Sequence, residues 1–135
     1  MIIRHIADLD HSRIVRSDTW QSTRLILADD KMGFSFNITV MYAETETRMC
    51  YKNHLESCYC LDGEAEVVDL ATGEVHHLRP GGIYILDKHD EHIVRPKTDL
   101  TIACVFNPAL IGSEKHLPDG SYVAQNAAST LQSSQ

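Results

Sequence analysis

Two stretches of the chain decide its fold. The first is Asn53-His54-Leu55-Glu56-Ser57-Cys58-Tyr59-Cys60-Leu61-Asp62-Gly63, and the second is Pro80-Gly81-Gly82-Ile83-Tyr84-Ile85-Leu86-Asp87-Lys88-His89-Asp90-Glu91-His92. Each stretch combines a β-strand pattern with residues that favour turns, and each contains side chains that bind metals. The two stretches therefore point to an all-β protein with metal-binding strands.

The remainder of the chain repeats short strand patterns between turn signals. Roughly nine strands are predicted at a spacing of about 8–12 residues, which is typical of an antiparallel sandwich or barrel. They are expected at 23–28, 34–42, 47–51, 57–61, 64–70, 74–78, 83–86, 91–95 and 100–106, with turns at 29–33, at Asp62-Gly63 and at 71–73. Alternation is clearest at 34–42, where two faces are predicted: Phe34, Phe36, Ile38 and Val40 on one, and Ser35, Asn37, Thr39 and Met41 on the other. Helical periodicity is sparse, so we expect at most one or two short helices, with a single turn near 6–12.

Length and composition fit one folded domain. The chain has 135 residues, of which 43% are hydrophobic and 23% charged, as in ordinary globular proteins. We predict a single domain over residues 1–125. Residues 126–135 are rich in Ala, Ser, Thr and Gln, so we predict a disordered tail there.

Charge and apolar patterning argue against two classes of partner. The net charge is −7, from 12 basic and 19 acidic residues, and phosphate backbones need clustered Lys and Arg. No apolar run approaches the ~20 residues that span a bilayer, and Asp8 comes too early for a secretory signal. We expect no nucleic-acid partner, no membrane and a cytoplasmic location. Cys58, Cys60 and Cys104 stand in apolar strand patterns, which favours buried free thiols over a disulfide framework or a thiolate metal site.

The spacing within the two stretches resembles the signature motifs of the cupin barrel, a double-stranded β-helix of jelly-roll type. Cupins place a Glu seven residues before a turn glycine, and Glu56 stands seven before Gly63. They end the second motif with a His eleven residues past the glycine of a Pro-Gly pair, and His92 stands eleven past Gly81. The usual His-x-His element is absent from residues 49–52.

A carboxylate and one imidazole need a third ligand to hold a catalytic metal. Tyr84 is the candidate, because it begins the strand whose far end turns toward His92. A phenolate, carboxylate and imidazole set suits Fe(II) best, and Zn(II) is the alternative. Taken singly, each residue is as easily structural, since buried Tyr and solvent-facing His or Glu are common. The register of all three with the cupin motifs favours the metal site.

More specific segments narrow the resemblance to one enzyme family. The chain resembles the ectoine synthase family over residues 1 to about 123. The segments that carry the resemblance are Met32-Gly33-Phe34-Ser35-Phe36, Tyr51-Lys52-Asn53-His54-Leu55-Glu56, Tyr59-Cys60, Tyr84, Leu86-Asp87-Lys88-His89-Asp90-Glu91-His92 and Cys104-Val105-Phe106-Asn107-Pro108. The missing His-x-His is also a feature of that family.

The resemblance implies a cytoplasmic homodimer that closes N-γ-acetyl-L-2,4-diaminobutyrate to a cyclic amidine, ectoine, with loss of water. It implies iron bound by Glu56, Tyr84 and His92. It also implies a set of substrate-lining residues: Trp20, Arg24, Asn37, Thr39, Cys104, Phe106, Glu114 and His116. Glu114, His116, Tyr51 and His54 are the candidates for catalytic proton transfer. As ordinary side chains, several of these would be core residues, surface charges or parts of a solvated loop.

The chemistry agrees with this set. The substrate's own amine must attack its own acetamide carbonyl, a poor electrophile that a Lewis-acid metal polarises. A base must neutralise the amine and an acid must protonate the departing oxygen, roles for which Glu114 and His116 are spaced i, i+2. Arg24 suits the substrate carboxylate, and Trp20 and Phe106 suit the apolar walls.

Three other functions remain open from the sequence. A metabolite-binding cupin would bind its ligand tightly without turnover. A cupin acting on a similar acylated diamino acid would convert that compound instead. An iron oxygenase would consume oxygen, although the two-His ligand set usual for that chemistry is not evident here.

Overall fold

The chain folds into two antiparallel sheets, as the alternation predicts. The computed structural model describes residues 1–124. Ten strands follow in chain order: β1 Ile14–Arg16, β2 Trp20–Ile26, β3 Ser35–Met41, β4 Thr47–Met49, β5 Leu55–Asp62, β6 Ala65–Asp69, β7 Val75–Leu78, β8 Ile83–Leu86, β9 His92–Pro96 and β10 Leu100–Asn107. The larger sheet has the order β1-β2-β3-β10-β5-β8, and the smaller has β4-β9-β6-β7.

Helical structure is limited to three short 3₁₀ segments in the described residues, at Ile6–Asp8, His11–Arg13 and Ala28–Asp30. The first lies where one turn is predicted. The third replaces part of the predicted turn at 29–33 and ends at Lys31, which adopts a left-handed conformation with φ 58°. No helix among residues 1–124 is long and apolar enough to cross a membrane. The predicted tail at 126–135 lies outside the described residues.

Two strand predictions need correction. β1 was not predicted, because three residues are too short to show alternation. The strand predicted at 23–28 is β2, which begins at Trp20 and ends at Ile26. Its inward face combines Trp20, Ser22 and Arg24, so it lacks the uniform apolar pattern by which a strand is recognised. Trp20 and Ser22 both line the cavity described below.

The two faces of β3 are segregated as predicted, but the polar face is the inner one. Ser35, Asn37 and Met41 are buried, whereas Phe36 and Ile38 on the other face are only half-buried. The interior of the larger sheet therefore presents polar side chains to a cavity. Buried apolar residues of the same sheet, such as Trp20, Ile102 and Phe106, complete the cavity wall.

Glycine is required at two close approaches. Gly63 has φ +87°, and a Cβ there would lie 2.1 Å from the Asp99 carbonyl oxygen. Gly120 has φ +81°, and a Cβ there would lie 2.9 Å from the Arg48 carbonyl oxygen. The first allows β5 to turn into β6, as the Asp62-Gly63 pair predicts. The second allows the C-terminal segment to lie against β4.

The N-terminus is fixed to the body by Arg4. Its guanidinium donates to both carboxylate oxygens of Asp30, at 2.7 and 2.8 Å, and to the Leu25 carbonyl oxygen at 2.9 Å. Asp30 also accepts from the Leu27 N–H at 3.1 Å. The hydrogen bonds from Arg4 lower the pKa of Asp30, against the opposite effect of burial. The pair is bidentate and half-buried, which is the favourable geometry for an ion pair.

We expect Asp30→Asn to lower the free energy of unfolding at pH 7 by on the order of 1 kcal/mol. Because the folded-state pKa of Asp30 is depressed, its stabilisation is present above the ordinary carboxyl pKa and disappears as pH falls through the folded value. Urea unfolding across the acid range measures this. Asp29→Asn is the control, as Asp29 is exposed on the same turn. An Asp30→Asn penalty that persists unchanged at acid pH would contradict the assignment.

Candidate active site

One row of inward side chains crosses the larger sheet. The strand register pairs Arg24 with Asn37, Asn37 with Cys104, Cys104 with Cys58, and Cys58 with Tyr84. Directly paired residues of antiparallel strands point to the same face. Residues that stand far apart in sequence are thereby aligned across five strands. The neighbouring row pairs Phe106 with Glu56.

A cavity opens above these rows inside the barrel. The volume inside it that is open to a water-sized molecule is about 30 Å³, which is small for a ligand pocket. Nine of the predicted site residues line it: Trp20, Asn37, Thr39, Tyr51, Glu56, Tyr84, Cys104, Phe106 and His116. Five further residues line the cavity and were not predicted as site residues: Ser22, Met41, Met49, Ile102 and Tyr122.

The three predicted metal ligands lie close together at the cavity wall. Glu56 and Tyr84 line the cavity, and the His92 ring lies behind Tyr84 with 6.0 Å between ring centroids. His92 and Glu56 are buried, at 2% and 6% exposure. The ligands come from β5, β8 and the first residue of β9, so two sheets must pack correctly to assemble them.

His92 is oriented as a ligand. Its Nδ1 lies 2.9 Å from the Asp90 carbonyl oxygen, which only accepts, so Nδ1 carries the proton. Nε2 then presents a lone pair, yet it is buried and has no hydrogen-bond partner among the described residues. Burial lowers the pKa of His92, which keeps the imidazole neutral. A carbonyl that fixes one nitrogen while the other faces a metal is the usual arrangement of a metal-binding histidine.

Glu56 also lacks a counter-charge. Burial raises its pKa to about 8, and hydrogen bonds from the Cys58 and Cys104 thiols oppose that effect only in part. No described Lys, Arg or His forms an ion pair with it. Burial also raises the pKa of the Tyr84 hydroxyl well above its usual value. A carboxyl and a phenol with such shifts fit a cation site, where bound charge would ionise both groups.

The predicted catalytic pair Tyr51 and His116 is in direct contact. Tyr51 Oη lies 2.7 Å from His116 Nε2 and 3.2 Å from Met49 Sδ. In one tautomer Oη donates to Nε2; in the other, Nε2–H donates to Oη and the hydroxyl donates to Met49. Burial, followed by the charge of Arg24, lowers the pKa of His116 to about 4, so the ring is neutral near pH 7. The Tyr51 hydroxyl keeps its proton in both tautomers, because burial raises its pKa well above the usual value.

Arg24 and Glu114 lie behind the cavity wall rather than in it. The Arg24 guanidinium is 1% exposed and donates to the Gly112 carbonyl oxygen at 2.9 Å and the Glu114 carbonyl oxygen at 2.8 Å. The Glu114 carboxylate lies 3.4 Å from Arg24 and accepts from the N–H groups of Ile111 and Gly112, at 2.6 and 2.8 Å. Both groups are occupied within the protein, so their predicted substrate and proton-transfer roles stay predictions.

His54 is buried beside the cavity without lining it. Its Nδ1 has no hydrogen-bond partner among residues 1–124, and its ring contacts Phe106 edge-to-face with centroids 5.8 Å apart. Burial lowers its pKa, which favours the neutral ring. His89 lies near it, and its Nδ1 lies 2.8 Å from the Tyr51 carbonyl oxygen and 3.0 Å from that of His54. His89 therefore holds the loop that carries Tyr51 and His54.

Tyr122 is the main site residue that the sequence did not reveal. It follows a turn in a Gly- and Pro-containing segment, where neither strand nor helix periodicity marks an inward side chain. Its ring stacks on His116 at 4.9 Å between centroids and lies 5.8 Å from the Arg24 guanidinium carbon. Its carbonyl oxygen accepts from Asn53 Nδ2 at 2.9 Å. Tyr122 separates the Arg24 charge from His116 and closes the cavity from the C-terminal side.

We expect Tyr122→Ala to cost about 3 kcal/mol of unfolding free energy, as the loss of a buried aromatic ring does. Tyr122→Phe keeps the ring, so its cost is expected to be about 1 kcal/mol or less. Urea unfolding of both variants measures the difference. Val75→Ala is the control because Val75 is 55% exposed on β7 of the other sheet. Equal costs for Tyr122→Ala and Val75→Ala would contradict the packing role.

Comparisons with known proteins add an independent finding. A family model described as "Ectoine synthase" matches residues 1–126. The L-ectoine synthase of Hahella chejuensis is 52% identical over 123 residues, which is 90% of this chain and 93% of the relative. That of Sphingopyxis alaskensis is 54% identical over 125 residues, covering 92% of this chain and 91% of the relative.

Solved structures agree on the fold. A crystal structure of ectoine synthase from P. lautus superposes with a TM-score of 0.79 at 42% identity, covering 83% of this chain and 81% of that one. The cupin domain of Schizosaccharomyces pombe Cnp3 superposes at 0.61 with 13% identity, over 79% of this chain and 74% of that one, a likeness of fold alone. The all-β cupin architecture predicted from the motifs is thereby confirmed.

Proposed function

The chain belongs to the ectoine synthase family, and from this premise we propose that it closes N-γ-acetyl-L-2,4-diaminobutyrate to ectoine at a metal ion held by Glu56, Tyr84 and His92. The protein is a lyase. The α-amine nitrogen of the substrate bonds to the acetamide carbonyl carbon, the carbonyl C–O bond breaks, and the oxygen leaves as water. The ring that forms has six members, so the chain must fold back on itself before reaction.

The observation that carries the proposal is the position of the predicted ligands. Glu56 and Tyr84 line the same cavity as the predicted substrate residues, and His92 directs an unpartnered nitrogen into the protein interior beside Tyr84. A carboxylate, a phenolate and an imidazole form a donor set suited to iron. When bound there, the metal supplies a Lewis acid that polarises the acetamide carbonyl.

The cavity walls supply orientation. Trp20 and Phe106 are buried aromatic residues that line it, and such walls enclose the apolar methylene groups of a substrate. Thr39 Oγ1 donates to Asn37 Oδ1 at 2.7 Å, which leaves the Asn37 amide N–H groups to donate to the substrate. Bringing amine and carbonyl into contact in this way removes a large part of the entropic barrier.

Tyr51 and His116 supply proton transfer. With Nε2 protonated, its N–H donates to Tyr51 Oη across 2.7 Å and leaves the hydroxyl hydrogen free to donate to the departing oxygen. A neutral His116 is required for this, and its lowered pKa provides it at physiological pH. We assign the reaction to compatible-solute biosynthesis in the cytoplasm under osmotic stress.

An anaerobic assay tests the function. Iron-loaded protein is incubated with N-γ-acetyl-L-2,4-diaminobutyrate, and products are followed by liquid chromatography and mass spectrometry. We expect a product lighter by one water, formed only without chelator. N-δ-acetyl-L-ornithine, one methylene longer, tests the alternative of another acylated diamino acid. Unchanged substrate from folded, metal-loaded protein would refute the assignment. Oxygen consumed together with the substrate in a parallel aerobic incubation would favour an oxygenase.

A homodimer is part of the proposal. The outer face of β5 and β8 exposes five large apolar side chains: Leu55, Tyr59, Leu61, Ile83 and Ile85, at 40, 43, 47, 53 and 58%. The strand register places Ile83 beside Tyr59 and Ile85 beside Ser57, so these residues form one continuous apolar area. Exposed apolar areas of this kind mark contacts with another protein. A second copy of the chain is the occupant we assign.

We expect Ile85→Asp to convert the dimer to a monomer in light scattering coupled to size exclusion. An unpaired carboxylate in an apolar interface is strongly unfavourable, so the dimer dissociation constant should rise at least about 100-fold. Val75→Asp is the matched control, because Val75 is 55% exposed on β7 of the other sheet. An unchanged dimer in Ile85→Asp would show that the contact lies elsewhere.

A further inference from the structure

Two buried thiols face each other across β5 and β10, and one of them, Cys104, lines the cavity. Cys58 on β5 is paired directly with Cys104 on β10, and the two are 0% and 2% exposed. Glu56 lies on the same strand face as Cys58, two residues earlier. One carboxylate oxygen of Glu56 and the two Sγ atoms all lie within 4.8 Å of one another. The sequence alone could not reveal this group, because Cys104 stands far from the other two residues.

These three atoms have the composition and spacing of a metal site. Zinc binds thiolate sulfur at about 2.3 Å and carboxylate oxygen at about 2.0–2.2 Å, so ligand atoms around one ion lie closer than about 4 Å to each other. The observed spacing needs only a small contraction to reach that. Thiolates favour zinc and other thiophilic ions over magnesium or calcium, and three protein ligands with one open position are typical of catalytic zinc sites.

Ordinary packing does not account for the whole group. Buried cysteines often act as small apolar side chains, and Cys60 on the same face of β5 is an example at 0% exposure. Cys58 and Cys104 differ because they contact a buried carboxyl group that has no cationic partner among the described residues. Thiol S–H groups are weak hydrogen-bond donors, so they offset little of the free-energy cost of burying the Glu56 carboxyl group.

We propose that Glu56, Cys58 and Cys104 form a second donor set, which takes a thiophilic divalent ion such as Zn(II). Glu56 also belongs to the set with Tyr84 and His92, so the two sets share a ligand and their ions exclude each other. Compared with an ion held by Glu56, Tyr84 and His92, a thiophilic ion therefore lies closer to β10, on the side of the cavity where Cys104 lines the wall. The role of Glu56 in the set with Tyr84 and His92 rests on the proposed function, whereas the site formed with the two thiols does not.

X-ray absorption of zinc-loaded wild-type protein tests the site directly. We expect zinc–sulfur scattering near 2.3 Å, fitted by two sulfurs, in place of a shell of only nitrogen and oxygen near 2.0–2.1 Å. A pure nitrogen and oxygen shell would overturn the proposal. This measurement needs no variant and no substrate, so it stands whether or not the protein makes ectoine.

Cobalt substitution identifies the residues. Co(II) added anaerobically should give near-ultraviolet sulfur-to-cobalt charge-transfer absorption in wild type, Tyr84→Phe and Cys60→Ser, and lose it in Cys58→Ser and Cys104→Ser. Cys60→Ser is the matched control, since Cys60 is equally buried on the same strand but outside the set. Circular dichroism checks that each variant is folded. Equal absorption in all four variants would overturn the assignment to these residues, and if the serine variants unfold, the zinc–sulfur distance in wild type decides.

Discussion

Glu56→Gln is expected to reduce bound iron from about one ion per chain to a small fraction and to lower kcat by at least about 10³-fold. The amide keeps the shape of the side chain but removes the negative charge that a buried cation requires. Because Gln fills the same volume, the fold should remain intact. Metal content is measured by plasma emission spectrometry and turnover by product formation.

The control for Glu56→Gln is Glu74→Gln, which removes a carboxylate from the surface turn before β7. It should leave both quantities unchanged. Tyr84→Phe and His92→Ala should reproduce the metal loss, since each removes one donor of the same set. Full iron content with full activity in Glu56→Gln would place the metal elsewhere.

Tyr51→Phe is expected to lower kcat by about 10²–10³-fold without changing the metal content. The phenylalanine ring keeps the edge contact with Phe106, at 5.1 Å between centroids, and removes only the hydroxyl that contacts His116 Nε2. His116→Ala should have an effect of the same size. Steady-state kinetics with saturating substrate measures both, and Tyr59→Phe on the outer face is the control.

The double variant Tyr51→Phe/His116→Ala tests whether the two side chains act in one proton-transfer step or in two different steps. If the two groups act as one proton-transfer unit, the double variant should be hardly slower than either single variant. Multiplied effects would mean that Tyr51 and His116 act at different steps. A Tyr51→Phe variant with wild-type kcat would contradict a catalytic role for the Tyr51–His116 pair.

Much of the fold could be predicted because its signals are local. The alternation at 34–42 and the Asp62-Gly63 turn need only neighbouring residues to be recognised. The spacings from Glu56 to Gly63 and from Gly81 to His92 are likewise local. In the structure Glu56 lines the cavity, and His92 lies behind Tyr84. β1 escaped prediction for the same reason, since three residues carry too little pattern.

The rest of the site depends on strand order and register, which short-range patterns do not encode. Cys58 meets Cys104 only because β5 pairs with β10. Arg24 contacts Glu114 across 90 positions of sequence, a pairing that no local pattern could reveal. Tyr122 lies on a segment without periodicity, so only its packing identifies it.

The inward polarity of β3 has a similar origin. A strand with one apolar and one polar face is normally taken to bury the apolar one. Here Asn37 and Thr39 face a cavity instead of solvent, and the apolar face is left for the outside of the sheet. The usual rule therefore fails for β3, because the polar side chains on its inner face border a cavity rather than a continuous apolar core.

The most direct test of the account is a titration of metal-free protein with Fe(II) under anaerobic conditions, with ectoine formation measured at each step. We expect the rate of ectoine formation to rise in proportion to bound iron and to reach its plateau at one ion per chain, with no rise in Glu56→Gln. A rate that is already maximal in the metal-free protein, or one that rises equally in Glu56→Gln, would contradict it.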